Sequence, residues 1–227
     1  MPSVLQYNMK RFINWIFGPS EVKKVNVPGE TIRTVDDSRR TSLMTLEKQL
    51  ESLADLGLQM NPGITVDDLL YSYERIEYES DPFELILFIF GNEVEREPWG
   101  RQFCERAWTF DTECIDSTGS YMRIAEKFCR VAGMPTLFKH IEDFVDLAKG
   151  KAWLKYWVDG NERFYTIPVD NDWADPATVG SIMKDIERHG NRFYGKLDGQ
   201  STTWFYLNHE TAEALNRLAN GALSPNE

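Results

Sequence analysis

The stretch AWLKYWVDGNERFYTIPV, residues 152–169, decides the fold of the C-terminal part of this chain. Ala152–Val158 alternates between two sets of side chains, as the two faces of a β-strand require. Asp159-Gly160 is a strong signal for a two-residue hairpin turn, and Arg163–Val169 predicts the returning strand. A long hairpin rich in aromatic residues is therefore predicted here.

The sequence on either side predicts helices and a second hairpin. Before the first hairpin, apolar residues recur at helical spacing and Gly150 follows them: Phe138, Ile141, Phe144, Val145 and Ala148. After it come a helix opening at Asp175-Pro176, the strands Arg192–Leu197 and Thr202–Leu207, and a helix capped by Asn208. The order α-β-β-α-β-β-α favours the α+β class, with one antiparallel sheet covered on one face by helices. The tail from Gly221 is predicted to fray.

Before residue 135 the chain is predicted to be rich in helices. Ser42–Leu56 carries a stripe of leucines typical of a helix that faces a core. Asp81-Pro82 has the pattern of a helix start before the apolar run LILFIF, residues 85–90. Ser120–Val131 is a further helix, and Ala107–Ile115 is predicted to be a strand.

Charge divides the chain into three predicted units. Residues 1–40 are basic, with 7 Lys/Arg against 4 Asp/Glu, and should contain an amphipathic helix, Val4–Phe17, and a hairpin, Glu21–Val35. Residues 41–135 form an acidic, helix-rich unit with 8 basic and 18 acidic residues, a net charge of −10. Residues 136–227 form the α+β unit and can pack with the acidic unit as one domain.

The acidic field indicates which partners the chain attracts. A concentrated negative charge repels nucleic acid and anionic membrane and attracts basic proteins. No run of 18 apolar residues is present, and the N-terminus lacks a signal-peptide pattern. We therefore expect a cytoplasmic protein with no transmembrane segment and a basic protein as partner. Contact between Val4–Phe17 and a membrane surface is an alternative role for that helix.

Catalytic motifs are not found. The sequence has no glycine-rich phosphate loop, no nucleophile elbow and no histidine or cysteine spacing typical of a metal site. The three cysteines, Cys104, Cys114 and Cys129, are interpreted as buried apolar thiols. The chain is thus predicted not to be an enzyme and to carry no cofactor.

Two acidic segments keep a metal-dependent enzyme open as the alternative function. Asp170, Asp172 and Asp175 lie within six residues and offer hard oxygen ligands, although Asp175 also fits a helix N-cap. The second segment, Glu93-Val94-Glu95-Arg96-Glu97, places three acids on one side of an extended chain. Ion pairing with neighbouring arginines is its simpler explanation.

Large aromatic side chains supply candidate anchors for a partner. The chain has 7 Trp, 9 Tyr and 13 Phe residues, and Trp and Tyr often dominate protein interfaces. Lys155 marks the wetter face of its strand, which is either buried against the rest of the chain or bound by a partner. The candidate partner-binding residues are Glu93, Glu95 and Glu97 for charge and Trp99, Trp153 and Trp157 as anchors.

The chain resembles the bacterial immunity proteins of polymorphic-toxin systems. The resemblance lies in the acidic block, including DPFELILFIFGNEVEREPWG (residues 81–100), and in KAWLKYWVDGNERFYTIPVDNDWADP (residues 151–176). It implies a small, acidic, cytoplasmic protein of mixed α and β structure that blocks a toxin in the same cell. Nuclease toxins have basic clefts, which an acidic inhibitor with aromatic anchors would fit. No functional residue is inferred from this resemblance.

Overall fold

Seven α-helices and seven β-strands are found in residues 44–226, the part of the chain that the computed structural model describes. The predicted helix Val4–Phe17 and hairpin Glu21–Val35 lie outside these residues. The helices are α1 (Leu46–Asp55), α2 (Val66–Leu69), α3 (Arg75–Ser80), α4 (Glu84–Phe90), α5 (Ser120–Val131), α6 (Pro176–Ile186) and α7 (His209–Leu218). The strands are β1 (Ala107–Asp111), β2 (Lys139–Asp146), β3 (Lys151–Val158), β4 (Asn161–Ile167), β5 (Asn191–Asp198), β6 (Ser201–Asn208) and β7 (Leu223–Pro225).

The strands form two antiparallel sheets. One has the order β1-β6-β5-β7 and the other has the order β2-β3-β4. Because β1 comes from the acidic segment and β6 from the C-terminal segment, residues 41–135 and 136–227 share a sheet. The described residues belong to one compact unit. The α+β class is confirmed.

The described residues form four layers, helices, a sheet, helices and a second sheet, which pack through two hydrophobic clusters. Helices α1–α4 and α7 pack on one face of the four-stranded sheet, where Tyr194, Phe205 and Leu207 are buried. Helices α5 and α6 fill the space between the other face of that sheet and the three-stranded sheet. Phe193 and Tyr206 face this second cluster. Both faces of the four-stranded sheet are thus covered, which explains the consecutive buried residues in β5 and β6.

The helix predicted for residues 138–148 is wrong. Residues 139–146 form β2, and a 3₁₀ turn, Leu147–Lys149, follows. A bulge between Lys139 and Glu142, where His140 has φ +51°, shifts the apolar residues out of strict alternation. Asp143 also occupies a buried position on the strand. Because this residue is polar, the inward face of the strand cannot be recognised from the alternation of apolar residues. The observed order after residue 135 is β-β-β-α-β-β-α-β, in two sheets instead of one.

The chain's last residues also differ from the prediction. Leu223–Pro225 forms β7 and pairs with β5, where a frayed tail was expected. The side chain of Asn216 fixes this strand: its Nδ2 donates to the Leu223 carbonyl at 3.0 Å, and its Oδ1 accepts from the Leu223 N–H at 2.8 Å. The Asn216 side chain on α7 thus holds in place a strand that begins seven residues later in the chain.

Several predicted helix bounds and caps are confirmed, and the starts of two helices differ by a few residues from the prediction. Helix α5 has the predicted bounds, and the caps at Asp175 and Asn208 are present. Helix α1 begins at Leu46, capped by Thr45. Helix α4 begins at Glu84, two residues after Pro82, because Phe83 has the left-handed conformation with φ +72°. None of the described helices is long and apolar enough to cross a membrane.

Candidate protein-binding surfaces

The segment that contains Glu93, Glu95 and Glu97 is a closed loop after α4. The Val94 N–H donates to the Arg101 carbonyl at 2.8 Å, so the loop returns on itself. Glu93 accepts a hydrogen bond from Gln102 Nε2 at 2.7 Å and lies 3.8 Å from Lys127 Nζ on α5. Glu95 instead accepts a hydrogen bond from Ser72 Oγ, between α2 and α3. The glutamates therefore contact different elements.

The two arginines of this loop turn inward to one buried carboxylate, Asp68. Arg96 Nε lies 2.8 Å and Arg101 Nη2 lies 3.2 Å from Asp68 Oδ1, while the Thr65 N–H donates to Oδ2 at 2.8 Å. Burial alone would raise the pKa of Asp68, but these hydrogen bonds together lower it to about 2. The arginines thus satisfy a buried charge, and the glutamates between them remain at the surface.

Carboxylates gather around Tyr73. Burial raises the pKa of the Tyr73 hydroxyl, and three negative charges raise it further. These belong to Glu95, Glu77 and Asp198. Lys196, two residues before Asp198 on β5, is buried and bonded to Glu84 at 2.6 Å. We call Glu77, Glu95 and Asp198 the acidic face; no ion pair involving these three carboxylates is found among residues 44–226.

Exposed apolar side chains border the acidic face. Tyr71 is 59% exposed beside Ser72. Trp99 is 60% exposed in the loop that carries Glu95. Arg96 lies over the ring of Tyr71, with 5.7 Å between the guanidinium carbon and the ring centroid. An apolar patch rimmed by acids that form no ion pair with another described residue is typical of a protein interface.

A second surface is the outer side of the three-stranded sheet. The ring of Trp153 stacks between Phe144 on β2 and Phe164 on β4, with ring centroids 6.4 Å and 5.9 Å away. Trp157 is 40% exposed on the same side of β3. We call these four residues the aromatic face. Lys155 lies among them and pairs with Glu142 at 3.0 Å.

The inner side of the same sheet belongs to the core. Tyr156 donates to Asp185 Oδ2 at 2.8 Å, and Tyr165 donates to the same oxygen at 3.1 Å. Arg163 Nε donates to the same Asp185 oxygen at 3.1 Å and completes the group. Burial raises the pKa of Tyr156. Both hydroxyl groups and the Asp185 carboxylate have partners among the described residues, so this cluster stabilises the packing of α6 on the sheet.

The structure separates the candidate residues that the sequence placed in one set. Glu93 contacts Lys127 on α5, and α5 packs on the inner side of the sheet whose outer side carries Trp153 and Trp157. The aromatic face therefore points away from α5. The glutamates with Trp99 and the two sheet tryptophans form two surfaces on opposite sides of this layer.

The acidic segment 170–175 is a strand-to-helix connection. The Asp170 carbonyl accepts from the Trp173 N–H at 3.0 Å, and the Asp172 carbonyl accepts from the Ile115 N–H at 2.9 Å. The Asp175 carboxylate caps α6 by accepting from the Thr178 N–H at 2.8 Å. Among residues 44–226, no group of three or more His, Cys, Asp and Glu side chains is placed to hold a metal ion.

A cleft that the sequence does not indicate lies between the segment 100–105 and α5. Its volume is about 360 Å³, and Trp108, Lys127 and Arg130 line it together with Arg101 and Glu105. Arg101 is already bonded to Asp68. The cleft is formed by residues distant in sequence, so no local pattern could have predicted it.

Comparison of the chain with protein-family models, with curated proteins and with solved structures gives no match. The functional interpretation therefore depends on the two surfaces.

Proposed function

We propose that this chain is an acidic cytoplasmic protein that binds and neutralises a basic partner protein, as an immunity protein neutralises its toxin. The observation that supports the proposal is the arrangement around Asp68. The cations of the loop 93–101 pair with the buried Asp68, while Glu95, Glu77 and Asp198 form no ion pair with another residue of 44–226. A surface built in this way concentrates negative charge.

The acidic face supplies the physical features that such a protein needs. Uncompensated carboxylates steer a basic partner and speed its association. Exposed aromatic and aliphatic side chains then hold the complex once water is expelled, and Tyr and Trp are the usual anchors. Tyr71 and Trp99 lie near Glu95 in the loop and its neighbouring segment, and each is more than half exposed. Charge and anchors are thus available in one region of the surface.

The test begins with affinity capture by the tagged full chain from a lysate of its own organism, at low and at high salt. We expect one basic protein to be retained at low salt and to diminish at high salt. The captured protein is then purified, and its activity is measured with and without the chain. Stoichiometric loss of that activity supports neutralisation. A captured protein whose activity is unchanged by the chain contradicts it.

Charge variants locate the surface. The triple variant Glu77→Gln, Glu95→Gln and Asp198→Asn should slow association with the captured protein by about tenfold and weaken its salt dependence. The matched control removes three exposed glutamates from α5 and α7, at positions 126, 210 and 213, and should change the rate by less than about twofold. Equal effects of the two triple variants would refute the acidic face as the docking surface.

A further inference from the structure

The two sheets have four outer edges, and three of them are protected. The Thr109 N–H of β1 donates to the Gly91 carbonyl at 2.8 Å. On β2, the Val145 N–H donates to Thr118 Oγ1 at 3.0 Å, and the strand is bulged. Strand β7 has only three residues and ends in Pro225. These are the devices by which proteins prevent edge-to-edge association.

Within the part of the chain that the structure describes, the fourth edge, on β4, has none of these devices. Strand β4 runs for seven residues in unbroken register with β3 and contains no proline. No backbone hydrogen bond joins its outer edge to another described residue. A long, regular and open edge is a template for a further strand.

The turn geometry shows which backbone groups are available. Asp159 and Gly160 both have positive φ, +50° and +78°, as a two-residue hairpin turn requires. Val158 and Asn161 therefore form a hydrogen-bonded pair, and such pairs alternate along an antiparallel ladder. The N–H and C=O groups of Glu162, Phe164 and Thr166 consequently point outward from the edge. Their side chains lie on the aromatic face.

We propose that β4 pairs in antiparallel orientation with β4 of a second copy of this chain, centred on Phe164. In this register Phe164 lies opposite its own copy, and Glu162 lies opposite Thr166. The stack of Phe144, Trp153 and Phe164 would continue across the seam into the same three rings of the second copy. Two three-stranded sheets would become one six-stranded sheet with a continuous aromatic ladder.

Charge favours a second copy over a basic partner at this edge. The outer side of the sheet carries as many cations as anions: Lys139, Lys151 and Lys155 with Glu142, Asp146 and Glu162. In the proposed register no like charges lie directly opposite at the seam. The nearest like pair is Arg163 with its copy, diagonal across the seam at about 7–8 Å, and each guanidinium pairs with Asp185 of its own chain at 3.1 Å. On the outer side the two copies of Lys155 are separated by both β4 strands, about 14 Å at the usual strand spacing and beyond the Debye length at physiological salt. The acidic face takes no part in this pairing, so dimerisation is independent of the proposed function.

The experiment measures the mass of the purified full chain by sedimentation velocity, from about 1 µM to about 500 µM protein at physiological salt. We expect a monomer–dimer equilibrium. Phe164→Lys should raise the dissociation constant at least about tenfold, because it places a charge at the centre of the seam. Thr166→Pro should do the same by removing one outward N–H while leaving the β3–β4 hydrogen bonds intact. Circular dichroism verifies that each variant is folded.

The matched control is Phe144→Lys, which places the same charge on the aromatic face at the far strand. It should leave the dissociation constant within about threefold of the parent value. Amide hydrogen exchange gives a second readout, because Glu162, Phe164 and Thr166 should gain protection as concentration rises. A parent chain that stays monomeric throughout, or a dimer that both β4 variants leave unchanged, overturns the proposal.

Discussion

The carboxylate of Asp143, on β2, accepts a hydrogen bond from the backbone N–H of Tyr121, in the first turn of α5, at 2.9 Å. The N–H groups of Gly119 and Met122 donate to the same carboxylate at 2.7 Å and 3.2 Å. The N-cap position of α5 is Gly119, which has no side chain to cap the helix. A residue from a strand 24 positions away therefore does so.

Replacement of Asp143 by alanine should lower the free energy of unfolding by about 2–3 kcal/mol, because it leaves three helix N–H groups without a charged acceptor. Urea unfolding followed by tryptophan fluorescence measures the change. The control is Glu142→Ala on the same strand, which removes an exposed ion pair with Lys155 and should cost less than about 1 kcal/mol. Similar losses for the two variants would contradict this account of α5.

Protonation of Asp68 should lower the free energy of unfolding at acid pH. Its pKa is about 2 in the folded chain and about 3.9 when unfolded, so the unfolded state takes up protons first as the pH falls. Its stabilising contribution is complete above about pH 5 and is lost as the pH approaches 2. Asp68→Asn should therefore cost about 2–3 kcal/mol at pH 7, and its difference from the parent should shrink between about pH 4 and pH 2.

Unfolding curves at several pH values test the link. Asp67→Asn serves as control because Asp67 is exposed in the same helical turn, and its effect should stay within about 0.5 kcal/mol at every pH. A difference between Asp68→Asn and the parent that persists unchanged at pH 2 would show that the ionised carboxylate is not the source of the stability.

Local signals predicted the parts of the fold that are determined locally. The turn at Asp159-Gly160 and the caps at Asp175 and Asn208 need only neighbouring residues, and all three are present. The helix prediction for residues 138–148 failed because the bulge at His140 depends on pairing with β3 and the burial of Asp143 depends on its bonds to α5. Periodicity alone cannot show that a buried aspartate caps a distant helix.

The same distinction applies to the candidate surfaces. The alternation around Lys155 correctly predicted the wetter side of β3, which carries Trp153 and Trp157. Sequence could not show that Phe164 completes the stack, since that contact needs the register of β3 with β4. Tyr71 was missed because Arg96 lies over its ring, and Glu95 bonds the adjacent Ser72, only after folding.

The cysteine thiols should react slowly in the folded chain. Burial raises the pKa of Cys104 to about 11 and the pKa values of Cys114 and Cys129 to about 12. Because the thiolate is the reacting form, a disulfide reagent at pH 8 should modify them roughly two to three orders of magnitude more slowly than free cysteine. Cys114 should still react first, because it is only partly buried, whereas a reagent reaches Cys104 and Cys129 only when the core opens. Denaturant should expose all three, and rapid labelling of the native chain would contradict this burial.

Two glycine-to-alanine substitutions should change stability in opposite directions. Gly91 ends α4 against β1, and its carbonyl accepts from the Thr109 N–H at 2.8 Å. A Cβ atom there would lie 2.5 Å from the Thr109 backbone nitrogen and 2.8 Å from Thr203 Cγ2. Since neither neighbour can move without separating α4 from the sheet, Gly91→Ala should cost at least about 1–3 kcal/mol.

Gly180 lies inside α6, where a Cβ atom would meet, of the described atoms, only Asn226 Oδ1, at 3.8 Å. Gly180→Ala should therefore raise the free energy of unfolding by about 0.5–1 kcal/mol, because alanine reduces the entropy of the unfolded chain and favours the helix. Thermal unfolding should place the melting temperature of Gly180→Ala about 1–4 °C above that of the parent and that of Gly91→Ala below it. If both variants shift in the same direction, the close approach of Gly91 to β1 does not control the packing of α4.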